Sequence, residues 1–256
     1  MSRRMRPQSN TYRFFVPAET ISGERVTIDD GDLVHQIGAV LRLGPGDTIV
    51  LLDDGGWEYL VEIEQIDRKR GVSGRVRERL AAPLAPPPPI TVYLPLIRAE
   101  RFEWALQKLT ELGVAAIVPT HYAHSIVEPG PSEKKRDRWR KIVREAAEQS
   151  RRGRLPLLGA TMAASEALSR TTPGLAYLLW EATGVQTLRR SLSTDCPARE
   201  TPIALLSGPE GGLSDDELAG ARGRGVRLVS LGPQTLRAET APVAAMAMLQ
   251  YALMDD

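Results

Sequence analysis

Residues 83–89 read Pro-Leu-Ala-Pro-Pro-Pro-Pro, five prolines in seven positions. Each proline lacks an N–H and holds φ near its ring-locked value, so the segment can be neither helix nor central strand. It reads as a stiff, extended linker. It divides the 256 residues into 1–82 and 90–256, and the two stretches have different patterns.

The first stretch is rich in strand signals. Arg13-Phe14-Phe15-Val16 predicts a short strand. Residues 47–52 and 57–66 flank Asp53-Asp54-Gly55-Gly56, a strong hairpin signal. In the second arm Trp57, Tyr59, Val61 and Ile63 alternate with Glu58, Glu62 and Glu64, so one face is expected to be wet. Ile37, Val40 and Leu41, followed by Gly44, predict one short helix over 35–43. A small β-barrel of about 80 residues accommodates this pattern.

After the linker, strands alternate with helices. Residues 90–97 are an apolar strand. Phe102, Ala105, Leu106, Leu109 and Leu112 recur at helical spacing before Gly113. Residues 114–118 form the next strand, closed by Pro119. Ser132 can cap a helix whose buried stripe is Trp139, Ile142, Val143 and Ala146. Strands are expected at 175–180, Ile203–Leu206 and 226–231. Ser214-Asp215-Asp216-Glu217 is a capping box, and a last helix covers 239–254. This alternation implies an α/β domain with a mainly parallel sheet.

Composition narrows the function. Lys plus Arg is 33 and Asp plus Glu is 32, a net charge of +1. That excludes a polycation binding nucleic acid by bulk charge, and 42% hydrophobic residues exclude a mostly disordered chain. The charge is segregated, however. Residues 133–154 hold 10 basic and 4 acidic side chains, whereas 193–256 hold 5 basic and 9 acidic. Lys134, Lys135, Arg138, Lys141 and Arg144 can line the face opposite Trp139, with Arg151, Arg152 and Arg154 extending the patch. This suits RNA phosphates or, alternatively, a solvated helix face. Phe14, Phe15, Trp57 and Tyr59 are either barrel core or stacking platforms. A lone Cys196 forms no internal disulfide, which fits a reducing cytosol. Residues 1–10 are basic without the apolar segment of a secretory signal, and no run is long enough to span a membrane. His35, His121 and His124 lack metal-ligand spacing, so no metal is expected.

Two segments carry chemistry. Ile203-Ala-Leu-Leu-Ser-Gly-Pro-Glu-Gly-Gly-Leu-Ser214 runs from a strand through a Gly-rich turn to a capped helix. Ligands of open α/β sheets collect at such carboxyl ends. There is no GxxxxGK[ST] and no GxGxxG, and Glu210 would repel a phosphate. The alternatives are a ligand with hydroxyls, an adenine edge and a positive centre, or a turn that is merely tight. Leu231-Gly-Pro-Gln-Thr-Leu-Arg-Ala-Glu-Thr-Ala241 also follows a strand and precedes a helix. Its Arg237 is either functional or paired with Glu239 or Glu210.

With Gln107-Lys-Leu-Thr-Glu-Leu-Gly113, His35 and Val40-Leu-Arg-Leu43, and Glu145 to Arg152 with Pro156, these segments occur in the order of a known family. The chain resembles the RsmE family, small-subunit ribosomal RNA (uridine-N3) methyltransferases of the SPOUT superfamily, over nearly its whole length. Gly208-Pro-Glu-Gly-Gly212 followed by Leu236-Arg-Ala-Glu-Thr-Ala241 is the specific part. The resemblance implies an N-terminal PUA-like β-barrel and a C-terminal SPOUT α/β domain with a deep trefoil knot. It implies a cytoplasmic homodimer that binds S-adenosyl-L-methionine and acts on 16S rRNA in the small ribosomal subunit. Carried onto this sequence, the cofactor residues are Glu181, Ser207, Gly208, Pro209, Glu210, Gly211, Gly212, Leu231, Gly232, Leu236, Arg237, Thr240 and Ala241. Arg237 is expected to stabilise the uracil anion, with Glu239 or Glu210 orienting it or accepting the proton. Leu213, Ala238 and Arg98 stand where the family usually has an aromatic, Thr and Lys. Two other readings are methylation of another RNA position such as a ribose 2′-oxygen, and a non-catalytic RNA-binding ribosome-assembly factor.

Overall fold

A computed structural model describes residues 11–253, apart from 68, 69, 86, 129, 174, 183, 196, 197 and 199. The basic N-terminal residues 1–10 and Cys196 therefore lie outside the described residues. The chain divides into two compact units. One takes the residues up to Leu84 together with Ala147–Leu155, and the other takes Ala85–Ala146 and everything from Pro156 onward.

In the first unit, β1 (Arg13–Phe15), β2 (Ile21–Ser22), β3 (Arg25–Ile28), β4 (Thr48–Leu52), β5 (Trp57–Asp67) and β6 (Gly71–Ala81) form one sheet in the order β1-β4-β5-β6-β3-β2. Only β1–β4 is parallel. The expected helix begins earlier than its apolar pattern, as α1 (Gly31–His35), because the Asp30 carboxylate accepts from the N–H groups of Asp32 and Leu33. It continues as one turn of π-helix over Gln36–Val40.

The expected alternation of β5 holds for Val61 and Ile63, which join a core with Phe14, Ile37 and Ile49, and for Tyr59, which packs on it. It fails at the first pair: Trp57 is 40% exposed and Glu58 only 9%. The face expected to be wet carries a second cluster, in which Phe15, Val50, Leu52 and Leu60 pack on Ala147 and Leu155. No local pattern could reveal this, because the covering residues come from about 90 positions away. Glu58 is buried with a partner: Arg13 Nη2 donates to its Oε2 at 2.7 Å. The Phe15 N–H donates to Glu148 at 2.9 Å.

The second unit contains β7 (Ile90–Pro95), β8 (Ala116–His121), β9 (Leu157–Leu158), β10 (Met162–Ala163), β11 (Ala176–Leu179), β12 (Ile203–Leu206) and β13 (Arg227–Val229). All pairs are parallel, in the order β10-β8-β7-β12-β11-β13, with β9 also on β8. The helices are α2 (Ala99–Glu111), α3 (Glu133–Gln149), α4 (Ala164–Ser169), α5 (Leu188–Asp195), α6 (Asp215–Gly223) and α7 (Thr240–Leu253). Both faces of the sheet are covered. Ile90, Val92, Leu94, Tyr177 and Leu205 pack with residues of α2, α5 and α7, whereas Tyr93, Leu178 and Leu206 pack with α4 and α6. A parallel sheet buried on both faces reads as continuous apolar runs, which is how these strands look in the sequence.

Strand β8 does not stop at Pro119 as expected. Ile117 accepts from Gly159 on the outer side, and Thr120 accepts from Leu96 on the inner side. Parallel strands alternate sides, so Pro119 faces outward, between the pairings of β9 and β10, where no ladder bond is due. The short elements β9, β10, α4 and α5 had no sequence expectation. Helix α3 ends with the Arg152 N–H on the Ala147 carbonyl and the Arg151 N–H on Glu148, a Schellman closure. Arg151 takes the left-handed position at φ 59°.

Removing the cation from the Arg13–Glu58 pair would leave a carboxylate buried without its partner. Arg13→Met is expected to lower unfolding stability by about 3–5 kcal/mol, with Glu58→Gln added to the same chain recovering part of the loss, as read from urea unfolding.

Candidate active site

The carboxyl ends of β11, β12 and β13 open into a pocket of about 440 Å³. Its wall is built from three loops: Trp180 and Glu181 after β11, residues 207–210 with Gly212 and Leu213 after β12, and residues 230–232 and 234–238 after β13, closed by Ala241 of α7 and Arg101 of α2. Neighbouring parallel strands deliver their following loops to one edge, which is why residues far apart in sequence meet here.

Each loop is held by its own chemistry. Ser230 Oγ donates to the Gly232 carbonyl and accepts the Gly232 N–H. Gly232 sits at φ 143° and Gly212 at φ 78°. An added Cβ on either would meet nothing within 4 Å, so at both the pocket wall is bare backbone. Gly211 is different. A Cβ there would lie 2.7 Å from the His124 carbonyl oxygen and 2.8 Å from its Cβ. Gly211 therefore supports the loop from behind rather than lining the pocket. The 122–125 turn is tied to the same region, because Glu217 completes the Ser214 capping box and also accepts the Ala123 N–H at 2.8 Å. Beneath it Tyr122 is fully buried, and burial together with the nearby Glu217 pushes its hydroxyl pKa well up.

The electrostatics differ from the simplest sequence expectation. Glu210 and Glu239 pair with Arg101 rather than with Arg237, at 3.3 Å from Nη1 to Glu210 and 3.7 Å from Nε to Glu239. Glu239 is 7% exposed and its Oε2 has no hydrogen-bond partner. Arg237 is exposed and lines the pocket. It makes no ion pair among the described residues.

Two family models match this chain: the RNA methyltransferase domain over residues 85–250 and the RNA methyltransferase PUA domain over 28–72. The ribosomal RNA small subunit methyltransferase E of Synechocystis is 34% identical over 245 residues, covering 94% of this chain and 78% of that one. The Bacillus subtilis protein of the same name is 31% identical, covering 86% and 88%. The chain belongs to the ribosomal RNA small subunit methyltransferase E family. The family member from Neisseria gonorrhoeae, solved bound to S-adenosyl methionine, superposes with a TM-score of 0.82 at 28% identity, covering 94% of this chain and 97% of that one. A Legionella pneumophila chain solved with the cofactor SAM gives 0.85 at 30% identity, covering 94% and 98%.

Of the thirteen cofactor positions carried over from this family, the pocket wall brings together all but Gly211 and Thr240. Glu239 is also absent from it. Of the three departures from the family pattern, Leu213 and Ala238 line the pocket and are buried in the two cores, whereas Arg98 is exposed and outside the lining. Arg101, Trp180, Gln234 and Thr235 were missed. For Arg101 the usable signal was its place just beyond the carboxyl end of β7.

The basic residues of 133–154 are not one free patch. Arg138 is held by Glu103 through two bonds of 2.7 and 2.8 Å, and Arg140 by Glu133 and Asp137. Lys135 lies 5.3 Å from the Trp139 ring centre. Lys134, Lys141 and Arg144 are exposed. Arg152 and Arg154 belong to the first unit, where Arg152 Nε donates to the Arg154 carbonyl and Arg154 to the Gly55 carbonyl. Burial pushes the Arg152 guanidinium down to about 10, against the opposing pull of Asp54. Phe14 and Phe15 are core, but Trp57 is exposed and the Arg79 guanidinium stacks 3.8 Å above its ring. Among the described residues no cluster of His, Cys, Asp or Glu could hold a metal ion, and no helix is long and apolar enough to cross a membrane.

The two glycines separate by mechanism. Gly211→Ala must displace backbone and is expected to cost about 1–3 kcal/mol. Gly212→Ala meets only the penalty of a left-handed conformation, about 1–2 kcal/mol. Urea unfolding measures both, and only Gly211→Ala should also increase proteolysis at the 122–126 turn.

Proposed function

We propose that this chain transfers a methyl group from S-adenosyl-L-methionine to N3 of a uridine near the 3′ end of 16S rRNA. The observation that carries the reading is the pocket itself. Two of its three loops carry the family's specific motifs, 208–212 and 236–241, and Arg237, which makes no ion pair among the described residues, stands at its edge.

The pocket fits the cofactor. Leu179, Leu213, Leu231 and Leu236 give apolar surface for an adenine. Bare backbone at Gly212 and Gly232 supplies donors and acceptors at close approach, and Glu181 and Glu210 tolerate a positive centre. When bound, S-adenosyl-L-methionine supplies an electrophilic methyl group on a sulfonium. The remaining work falls to the protein. Uridine N3 carries a proton and is buried in a duplex, so the base must be unstacked and deprotonated before it can act as nucleophile. Arg237, with no competing carboxylate on its guanidinium, is suited to hold the negative charge that develops on the uracil carbonyl oxygens. Of the two candidate bases, Glu239 and Glu210, Glu210 is the one that lines the pocket, where it can take the N3 proton. Glu239, buried and outside the lining, acts on the charge balance rather than on the base.

RNA is held in this reading by Lys134, Lys141 and Arg144 of α3, and by Arg151, Arg154 and the Trp57–Arg79 stack of the first unit. The finer architecture belongs to the same proposal: a SPOUT domain whose chain is threaded into a trefoil knot, working as a cytoplasmic homodimer. The knot rests on the family resemblance; in the structure the 186–188 segment adds one parallel bridge, Thr187 to Ser230. Support for the dimer comes from α2 and α7, neighbouring helices that expose Trp104 at 41%, Met248 at 43% and Tyr251 at 89%. Apolar surface of this kind on packed helices marks an association site.

Calorimetry should detect binding of S-adenosyl-L-methionine. Nucleoside digestion and mass spectrometry of treated small subunits should yield N3-methyluridine, whereas a 2′-O-methyl product, or no binding at all, would overturn the assignment. Arg237→Ala is expected to lower kcat by about 100-fold or more at saturating RNA. Tyr251→Asp together with Met248→Asp is expected to shift sedimentation from dimer to monomer.

A further inference from the structure

The pocket edge holds a charge arrangement that the residue roles above leave unexplained. Two cations, Arg101 and Arg237, line it, and two carboxylates, Glu210 and Glu239, stand with them. Pairing each cation with one acid would be the simplest neutral arrangement, and Glu239 is only two positions from Arg237. Instead both acids are bound by Arg101.

We infer that Arg101 is a positioning residue for methyl transfer: it occupies Glu239 and Glu210 together, and so keeps the Arg237 guanidinium available for the substrate base. This inference rests on the role of Arg237 under Proposed function. Several observations carry it. Arg101 reaches the two acids through different nitrogens, Nη1 to Glu210 and Nε to Glu239, so one guanidinium spans two loops. Both distances exceed the 2.7–2.9 Å of a strong charge-assisted bond, as expected of a group shared between partners. The next residue, Phe102, is 1% exposed and packs on Trp139 at 4.4 Å between ring centres, which fixes the backbone from which Arg101 reaches. The Arg101 side chain is itself 37% exposed. The Glu210 side chain is 26% exposed, and an ion pair at such exposure adds little to stability, so holding the fold together does not account for the second arm of the contact.

The consequence for Glu239 is specific. Its carboxylate is buried, with Oε2 unpartnered. A buried charge deprived of its counter-ion recruits another or becomes neutral. With Arg101 gone, the cation nearest to Glu239 in the chain is Arg237. Capture of Arg237 would remove from the pocket the charge that the uracil anion needs. The arrangement thus turns a stability problem, one desolvated carboxylate, into control over which arginine faces the substrate.

The test uses the full-length protein. Arg101→Ala is expected to lower kcat by about 10- to 100-fold, the scale of a misplaced catalytic group, with the KM for RNA changed less than kcat. Adding Glu239→Gln to Arg101→Ala removes the acid that would capture Arg237, and should recover at least tenfold of the lost kcat. In the cofactor-free protein, NMR should show the Arg237 Nε–H, assigned by its loss in Arg237→Lys, exchanging more slowly with solvent in Arg101→Ala than in the wild type. Should Arg101→Ala not fold, Arg101→Gln replaces it with the same expectations. Wild-type kcat in the single variant, or a double variant no faster than it, would overturn the inference, as would unchanged Arg237 exchange. Failure of the wild-type protein itself to form N3-methyluridine would instead overturn the function on which the inference rests.

Discussion

The constraint on which the second unit depends is that its sheet is parallel. Parallel neighbours cannot be joined by a tight turn, so each strand must leave by a crossover that packs on one face of the sheet. Crossover helices α2 and α5, with the last helix α7, cover one face and α4 and α6 the other. What remains uncovered is the edge where strands end and crossovers begin. Leu179, Leu206 and Val229 stop there together, because β12, β11 and β13 are adjacent in the sheet. The pocket is the space that three neighbouring loops cannot fill.

Much of this is legible in the sequence. Ile203–Leu206, the Ser214–Glu217 capping box and the Trp139–Ala146 stripe are local signals, and local hydrogen bonds or one buried helix face decide them. The pocket wall was legible through the two Gly-containing motifs, because bare backbone at a strand end has few other uses. The misses share one physical origin. Glu58 is buried because Ala147 and Leu155 cover its face of the sheet. Arg101 belongs to the pocket because β7 lies beside β12. Pro119 stays in its strand because its empty side falls between β9 and β10. In each case the deciding partner is distant in sequence, and no period or cap encodes it.

Charge shows the same division between local and distant. The segregation of cations into 133–154 is real in the sequence, yet the acids interleaved with them and Glu103 neutralise Arg138 and Arg140. Exposed cations occur in both units, with an Arg–Trp stack at the first. A count of charges along the chain identifies where basic residues are, but the pairing of each with its neighbours decides which can meet a phosphate.

The same reasoning bears on the pocket. Its two arginines are equivalent by charge, and the acid nearest in sequence would pair Arg237 with Glu239. Folding breaks that equivalence by placing Arg101, carried on a helix anchored through Phe102, against both carboxylates. Arg237 sits on the loop after β13, its backbone carbonyl accepting from the N–H groups of Thr240 and Ala241. The rigid helix thus carries the arginine that satisfies the acids, and the loop at the helix entrance carries the one left for a substrate. A site that must present a cation to a transient anion requires that the protein's own anions be occupied first.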